Sequence, residues 1–229
     1  MTDFHSHVLP ALDDGAKDVK ESIELLNMIS SQGVERVFAT PHFLPSKESP
    51  QSFLERRRAA HEELSASATA LPITLELGAE VAYYAGLSRM DSLLDMRLGK
   101  SKLLLVEMPI APWSEYVVGE LIGIALSSSI IPVIAHVERC IGYQSSKNMK
   151  RLLEVGVLMQ ANASFFVDMK TRRGALKLLR RGELHLLGSD THGTTYRPPR
   201  LAEAYAVINK KLGERAIREL EYISKKVAP

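Results

Sequence analysis

The sequence predicts an α/β protein arranged as a parallel (β/α) barrel of seven strands, with a doubly wound sheet as the alternative arrangement. Three observations carry that reading. Short apolar runs alternate with helix-period segments about seven times along the chain. Several of these runs are apolar on both faces, as strands of a parallel sheet must be when both faces are covered. The length, 229 residues, sits a little below the usual eight-unit barrel.

Taken in order, the first strand is expected over residues 2–5. A helix over 20–32 follows, with Ile23, Leu26 and Ile29 on one face and Leu25 and Met28 close by. The second strand (34–40) leads to a helix over 51–67, and the third spans 73–80. The fourth (102–107) leads to a helix over 115–128, and the fifth (130–136) to a helix over 146–154. The sixth (156–161) leads to a helix over 171–181, and the seventh spans 183–189. A C-terminal helical segment covers about 200–225, interrupted near Gly213. No repeat or Pro/Gly/Ser-rich linker divides the chain, so residues 1–229 read as one domain.

Composition narrows the function classes. Hydrophobic residues make up 45% and charged residues 24%, an ordinary globular balance that excludes disordered and low-complexity readings. The longest apolar runs, such as 103–106 and 130–135, are far short of a membrane span. No basic segment followed by an apolar one opens the chain. The single cysteine, Cys140, excludes an intramolecular disulfide framework and a cysteine-built zinc site, so a reducing cytoplasm is expected. A net charge of +2 argues against nucleic-acid binding driven by bulk charge.

The polar residues carry the chemistry. His5 and His7 end the first strand, His42 follows the second, Glu80 ends the third and Glu107 the fourth. His136 ends the fifth, Asn162 follows the sixth, and Asp190 and His192 follow the seventh. In a (β/α) barrel these C-terminal strand ends converge on the face that hosts active sites. His5 and His7, two apart on an extended chain, point to one side and suit a shared metal, and Asp190 and His192 repeat the spacing. Four carboxylates (one of Asp13 and Asp14, with Glu80, Glu107 and Asp190) would repel one another without cations. Nine ligands exceed the needs of one ion, so a two- or three-metal centre is expected; His and carboxylate donors suit Mn, Fe, Zn or Co. Paired metals suit phosphoester hydrolysis. Arg139 and Arg197, just past His136 and His192, are placed to grip a phosphate.

These residues resemble the polymerase-and-histidinol-phosphatase (PHP) metallophosphoesterases in motif order. The opening stretch DFHSHVLPALDDGAK at 3–17 is similar to the metal-dependent protein tyrosine phosphatases of bacterial capsule and exopolysaccharide operons. So are Ala-Thr-Pro-His42, Gly-Ala-Glu80, Val-Glu107-Met-Pro, His136-Val-Glu-Arg139, Gln160-Ala-Asn-Ala-Ser164 and Gly-Ser-Asp190-Thr-His192. The resemblance runs to about residue 200. It implies a distorted (β/α)7 TIM-like barrel with three divalent ions, usually manganese. By position, His5, His7, Glu80 and Asp190 would hold one ion, and Glu80, Glu107 and His136 the second. Asp14, His42 and His192 would hold the third, with Arg139 and Arg197 on the phosphate. The implied substrate is phosphotyrosine, notably on the tail of the autokinase governing polysaccharide assembly. The implied chemistry is in-line attack by a water-derived nucleophile with no covalent intermediate. Val137 replaces a proline common in the family, which frees the local φ beside Arg139.

Other residues read as structural. His61 lies in a charged helical stretch and His185 inside a strand. Cys140 reads as buried filler, since no arginine stands six residues on, where a thiol phosphatase loop requires one (Ser146 is there). Gln160 and Asn162 position the loop or a ligand water. The 56–58 arginine run reads as a solvated helix face. Loops 43–50 and 113–116 either grip a peptide or pack over the rim. A small-molecule phosphatase, such as one acting on histidinol phosphate, is the alternative function. An amidohydrolase would place a lysine at the fourth strand where Glu107 stands. The remaining rivals are a non-catalytic kinase-binding regulator and a polymerase-associated exonuclease.

Overall fold

The computed structural model describes residues 1–67, 73–127 and 129–229. Nine parallel strand segments are found among them: β1 (Thr2–Ser6), β2 (Arg36–Ala39), β3 (His42–Phe43), β4 (Thr74–Leu77), β5 (Glu80–Ala82), β6 (Leu103–Glu107), β7 (Ile131–Ile134), β8 (Leu158–Asn162) and β9 (Leu186–Gly188). They occupy seven stations of one curled sheet: the third expected strand divides into β4 and β5, and the second expected strand (34–40) appears as β2 with an additional segment, β3, just beyond its end. Pro41 has no N–H to continue β2, and the chain resumes as β3. Gly78 and Ala79 separate β4 from β5; the Gly78 N–H still donates to Ala39 O (2.8 Å), and a Cβ at Gly78 would lie 2.4 Å from Leu98 Cδ2. The segments therefore pair as β1-β2-β4 and β3-β5-β6-β7-β8-β9, and the step between the two ladders is the distortion of the barrel.

The outer edges meet at the mouth. The Asp190 N–H donates to His5 O (2.8 Å) and the His7 N–H to Thr191 O (3.0 Å). Close approach there requires Gly188, since a Cβ would sit 2.5 Å from His5 Cβ. Asp3, fully buried, accepts from the main-chain N–H of Ser189 (2.8 Å) and His5 (3.2 Å), tying the first strand to the last.

The helices are α1 (Val19–Ser31), α2 (Pro50–Ser67), α3 (Glu115–Leu126), α4 (Ser146–Glu154), α5 (Ala163–Val167), α6 (Arg172–Arg180), α7 (Leu201–Leu212) and α8 (Glu214–Val227). The helix expected over 115–128 ends at Leu126, and Ser128 lies outside the described residues. Asp18, Ser114 and Ser145 cap α1, α3 and α4 by accepting from the N–H three residues on. Gly213, at φ 83°, breaks the C-terminal segment into α7 and α8.

Two apolar clusters follow from the strand period of two. On β6, Leu104 and Val106 join the large cluster under the helices. Leu103 and Leu105 join a small inner cluster with Phe4, Phe38, Val133, Ala135 and Leu186, against which Ile223 and Val227 of α8 pack. This inner cluster is the floor of the barrel.

Candidate metal centre

Every ligand-type residue anticipated from the sequence lies at the mouth, and three groups of donor atoms converge there: His5, His7 and Asp190; His42, Glu80 and Glu107; and His7, Asp14, His42 and His192. Glu80 sits at the middle. Its Oε2 lies 3.2 Å from His5 Nε2, 3.4 Å from His7 Nε2 and 2.9 Å from His42 Nδ1. Its Oε1 lies 2.8 Å from His136 Nε2, which is itself 3.5 Å from Glu107 Oε1. Asp190 Oδ1 is 3.5 Å from His5 Nε2 and 3.6 Å from His7 Nε2. Asp14 Oδ1 is 3.4 Å from both His42 Nε2 and His192 Nε2.

The two adjacent aspartates do different things. Asp13 stands behind the site, accepting from His7 Nδ1 (2.7 Å) and from the N–H of Gly15 (2.9 Å) and of His42 (2.9 Å). Asp14 is exposed and faces the rings of His42 and His192. The tight turn depends on Gly15, because a Cβ there would lie 2.2 Å from His7 O.

The donor set fits divalent cations. Glu80 Oε2 and His42 Nδ1 are buried and have no hydrogen-bond partner, although they face each other. Buried polar atoms are rarely left so. His5 Nε2 and His7 Nε2 stand 3.1 Å apart. Two imidazole nitrogens each about 2.1 Å from one ion subtend that separation at close to a right angle.

Without cations the centre is electrostatically tense. Burial alone would lower the pKa of His7, yet Asp13 and Glu80 outweigh it and raise it to about 10. His5 is also raised against its burial, by Glu80 and Asp190. Burial would raise Glu80 and Asp190, but the neighbouring imidazoles hold Glu80 well below the usual range and Asp190 at about 2. His192 falls to about 4, through burial and then the positive charges of His7 and Arg197.

Arg139 and Arg197 meet at one atom. The Arg139 Nη2 donates to Asp190 Oδ2 at 2.7 Å, and the Arg197 Nη2 donates to the same oxygen. Val137 is fully buried and packs in the core. The turn holding Arg139 is closed by its N–H donating to His136 O (2.9 Å). His136, Asp190 and Arg197 have φ of 27°, 51° and 52°, a region that side chains disfavour; such strain gathers at functional sites. Both arginines line a cavity of about 350 Å³ with Glu138, Asn162 and Phe165. A second, of about 660 Å³, opens beside Asp14, His42 and Glu107.

The sequence reading misses Glu138 and misreads Arg57, whereas Cys140 and His185 are structural as expected. Glu138 is half-buried with its Oε2 enclosed, accepts from the Asn162 N–H (3.2 Å), and desolvation of the carboxylate pushes its pKa up to about 7. Arg57 is no solvated residue: it donates to Gly78 O (2.7 Å) and Asp95 O (3.0 Å), bracing the break between β4 and β5. Phe43 is fully buried against Phe53, and the Trp113 ring N–H donates to Pro109 O (3.0 Å), so both pack the rim. Cys140 is buried and burial pushes its thiol up to about 12, leaving no thiolate for nucleophilic attack. His185 accepts from the Met159 N–H (3.0 Å) inside the sheet.

A parallel barrel whose strand ends gather imidazoles and carboxylates around a shared glutamate defines a class: metal-dependent barrel hydrolases. Within it, the chain belongs to the capsular polysaccharide synthesis CpsB/CapC family, whose model matches residues 1–226. It is 31% identical to the tyrosine-protein phosphatase CpsB of Streptococcus pneumoniae, over 96% of this chain and 94% of that protein. It is 27% identical to the tyrosine-protein phosphatase YwqE of Bacillus subtilis, over 97% of this chain and 88% of that one. A solved structure from work on YwqE and the pneumococcal CpsB, described as unique metal-dependent tyrosine phosphatases, superposes with a TM-score of 0.83. It is 27% identical and covers 98% of this chain and 93% of its own.

Proposed function

We propose that the protein is a metal-dependent protein-tyrosine phosphatase, a phosphoric monoester hydrolase of capsule or exopolysaccharide synthesis. One observation carries the reading: three convergent groups of donors, with Glu80 within 3.4 Å of His5, His7, His42 and His136 and both arginines drawn to the adjacent Asp190. In this reading three divalent ions, most simply Mn²⁺, are held by the sets His5, His7, Glu80 and Asp190; Glu80, Glu107 and His136; and Asp14, His42 and His192. When bound, such ions supply positive charge to phosphoryl oxygens and lower the pKa of water enough for it to attack near neutral pH.

The chain's own residues do the rest. Arg139 and Arg197 turn from Asp190 to the phosphate, where paired N–H donors match its oxygens and stabilise charge in the transition state. Asp13 holds the His7 ring by its Nδ1, which leaves Nε2 facing the centre. A phenolate with a pKa of about 10 departs without a strong general acid. The substrate is then a phosphotyrosine protein, the tail of a tyrosine autokinase being the natural partner in such an operon. No helix among the described residues is long and apolar enough to cross a membrane.

A substrate panel tests the reading. Phosphate release from a phosphotyrosine peptide is expected to exceed release from histidinol phosphate and a phosphoserine peptide by at least about tenfold in kcat/KM. Turnover of histidinol phosphate with none on phosphotyrosine would replace this function by the small-molecule one.

A further inference from the structure

Gln160 is fully buried on β8, directly behind the metal-facing residues. Its amide orientation is fixed by one contact. The His136 main-chain N–H lies 2.6 Å from Gln160 Oε1, and a backbone N–H only donates, so the atom it meets is the carbonyl oxygen. His5 Nδ1 lies 3.2 Å from the same oxygen, so it must carry the proton. The lone pair of His5 is thereby assigned to Nε2, the atom that faces Glu80, Asp190 and His7.

The assignment propagates. With its oxygen occupied, Gln160 presents Nε2 as a donor to Asn162 Oδ1 at 3.1 Å. Asn162 must then present Nδ2, which donates to Asp190 Oδ2 at 2.6 Å. That oxygen also receives Arg139 and Arg197. Its lone pairs are taken, and Oδ1 is left to face His5 and His7. The slot is shaped for this chain of amides: a Cβ on Gly188 would lie 2.8 Å from Gln160 Nε2.

We propose that Gln160 and Asn162 are positioning residues that set which atoms of His5 and Asp190 are offered to a metal ion. The inference rests on the reading of His5 and Asp190 as metal ligands. It differs from the arrangement behind His7, where a carboxylate, Asp13, does the same work with charge.

The test is calorimetric titration of Mn²⁺ into metal-stripped protein, beside thermal melting of the metal-free chain. Gln160→Leu removes both halves of the amide and is expected to weaken uptake of one ion by about 10- to 100-fold, the usual cost of losing a residue that orients a ligand. Gln160→Glu keeps an acceptor for His5 and His136 but loses the donor to Asn162, so its affinity is expected to fall between the wild type and Gln160→Leu. Asn162→Ala leaves the His5 arm intact and is expected to lose about tenfold through Asp190 alone. A purely structural role would lower melting temperatures without this ordering of affinities. Equal Mn²⁺ affinity in folded Gln160→Leu and wild type overturns the proposal. If Gln160→Leu does not fold, unchanged affinity in both Gln160→Glu and Asn162→Ala overturns it. Because affinity is read without substrate, wild-type protein that binds Mn²⁺ with this ordering yet leaves phosphotyrosine intact overturns the phosphatase function alone. Wild-type protein that takes up no Mn²⁺ overturns both.

Discussion

At the floor of the barrel, Phe4, Phe38, Leu103, Leu105, Val133 and Leu186 pack against one another, with the Arg36 guanidinium 5.5 Å over the Phe38 ring. At the mouth, a few residues further along the same strands, His5, His7, Glu80, His136 and Asp190 are buried almost as completely. Burial stabilises the first set directly. It opposes the second, since each ionised group there loses water and must find a partner. The mouth meets that cost only in part. It pairs imidazoles with carboxylates and leaves Glu80 Oε2 and His42 Nδ1 without hydrogen bonds. One end of the fold therefore supplies stability, and the other is held ready for cations that complete it.

Removing a central mouth residue is expected to separate the two ends most sharply. His136→Ala, which removes a donor to one of the proposed ions, should lower phosphotyrosine turnover by about 10³-fold, in line with the several kcal/mol a bound ion contributes to transition-state charge, while the far-UV circular dichroism stays near wild type. Loss of fold together with activity would show that mouth and floor are not independent. At the floor, Leu105→Ala should cost about 2–5 kcal/mol in denaturant unfolding yet leave the number of bound ions unchanged. Arg139→Ala should reduce kcat by about 10²-fold with metal uptake retained. A variant that loses its metal instead would make Arg139 a support for Asp190 rather than a phosphate contact.

The pH dependence has a definite sign. In the metal-free chain His7 is raised from 6.5 to about 10, so its contribution to stability is full below pH 6.5 and is lost as pH rises through about 10. Metal binding needs neutral imidazole and so releases that proton. The gain in melting temperature on adding Mn²⁺ should therefore widen between pH 6 and 9, and differential scanning fluorimetry showing it narrow would contradict the pairing of His7 with Asp13 and Glu80. The smallest effect is expected at the exposed Arg215–Glu219 pair on α8: Glu219→Ala should change stability by less than about 1 kcal/mol and activity not at all.

The floor and the gathering of ligand-type residues at the mouth were both legible in the sequence, for different reasons. Alternation in 103–107 gives Leu103 and Leu105 one face and Leu104 and Val106 the other, and a polar residue at each strand end is a pattern against an apolar background. Less visible were features set by three-dimensional closure. Pro41 sits just past one apolar run and Gly78 inside another, and only the sheet shows that the chain passes to the other ladder at each. The choice between Asp13 and Asp14 depends on a one-residue turn, to which side-chain type is blind. Asp3 and Glu138 carry no spacing signal, because their partners are backbone N–H groups brought by β9 and β8. Arg57 differs from Arg56 and Arg58 only in facing the sheet, where it stacks over Phe53 at 5.6 Å.

The most direct test of the central claim is phosphate release from a phosphotyrosine peptide by protein stripped with chelator, before and after Mn²⁺ is returned. Activity that vanishes on stripping and returns with Mn²⁺, while the stripped chain keeps its circular dichroism, is the expected result. Full turnover by stripped protein with no ion bound would contradict it.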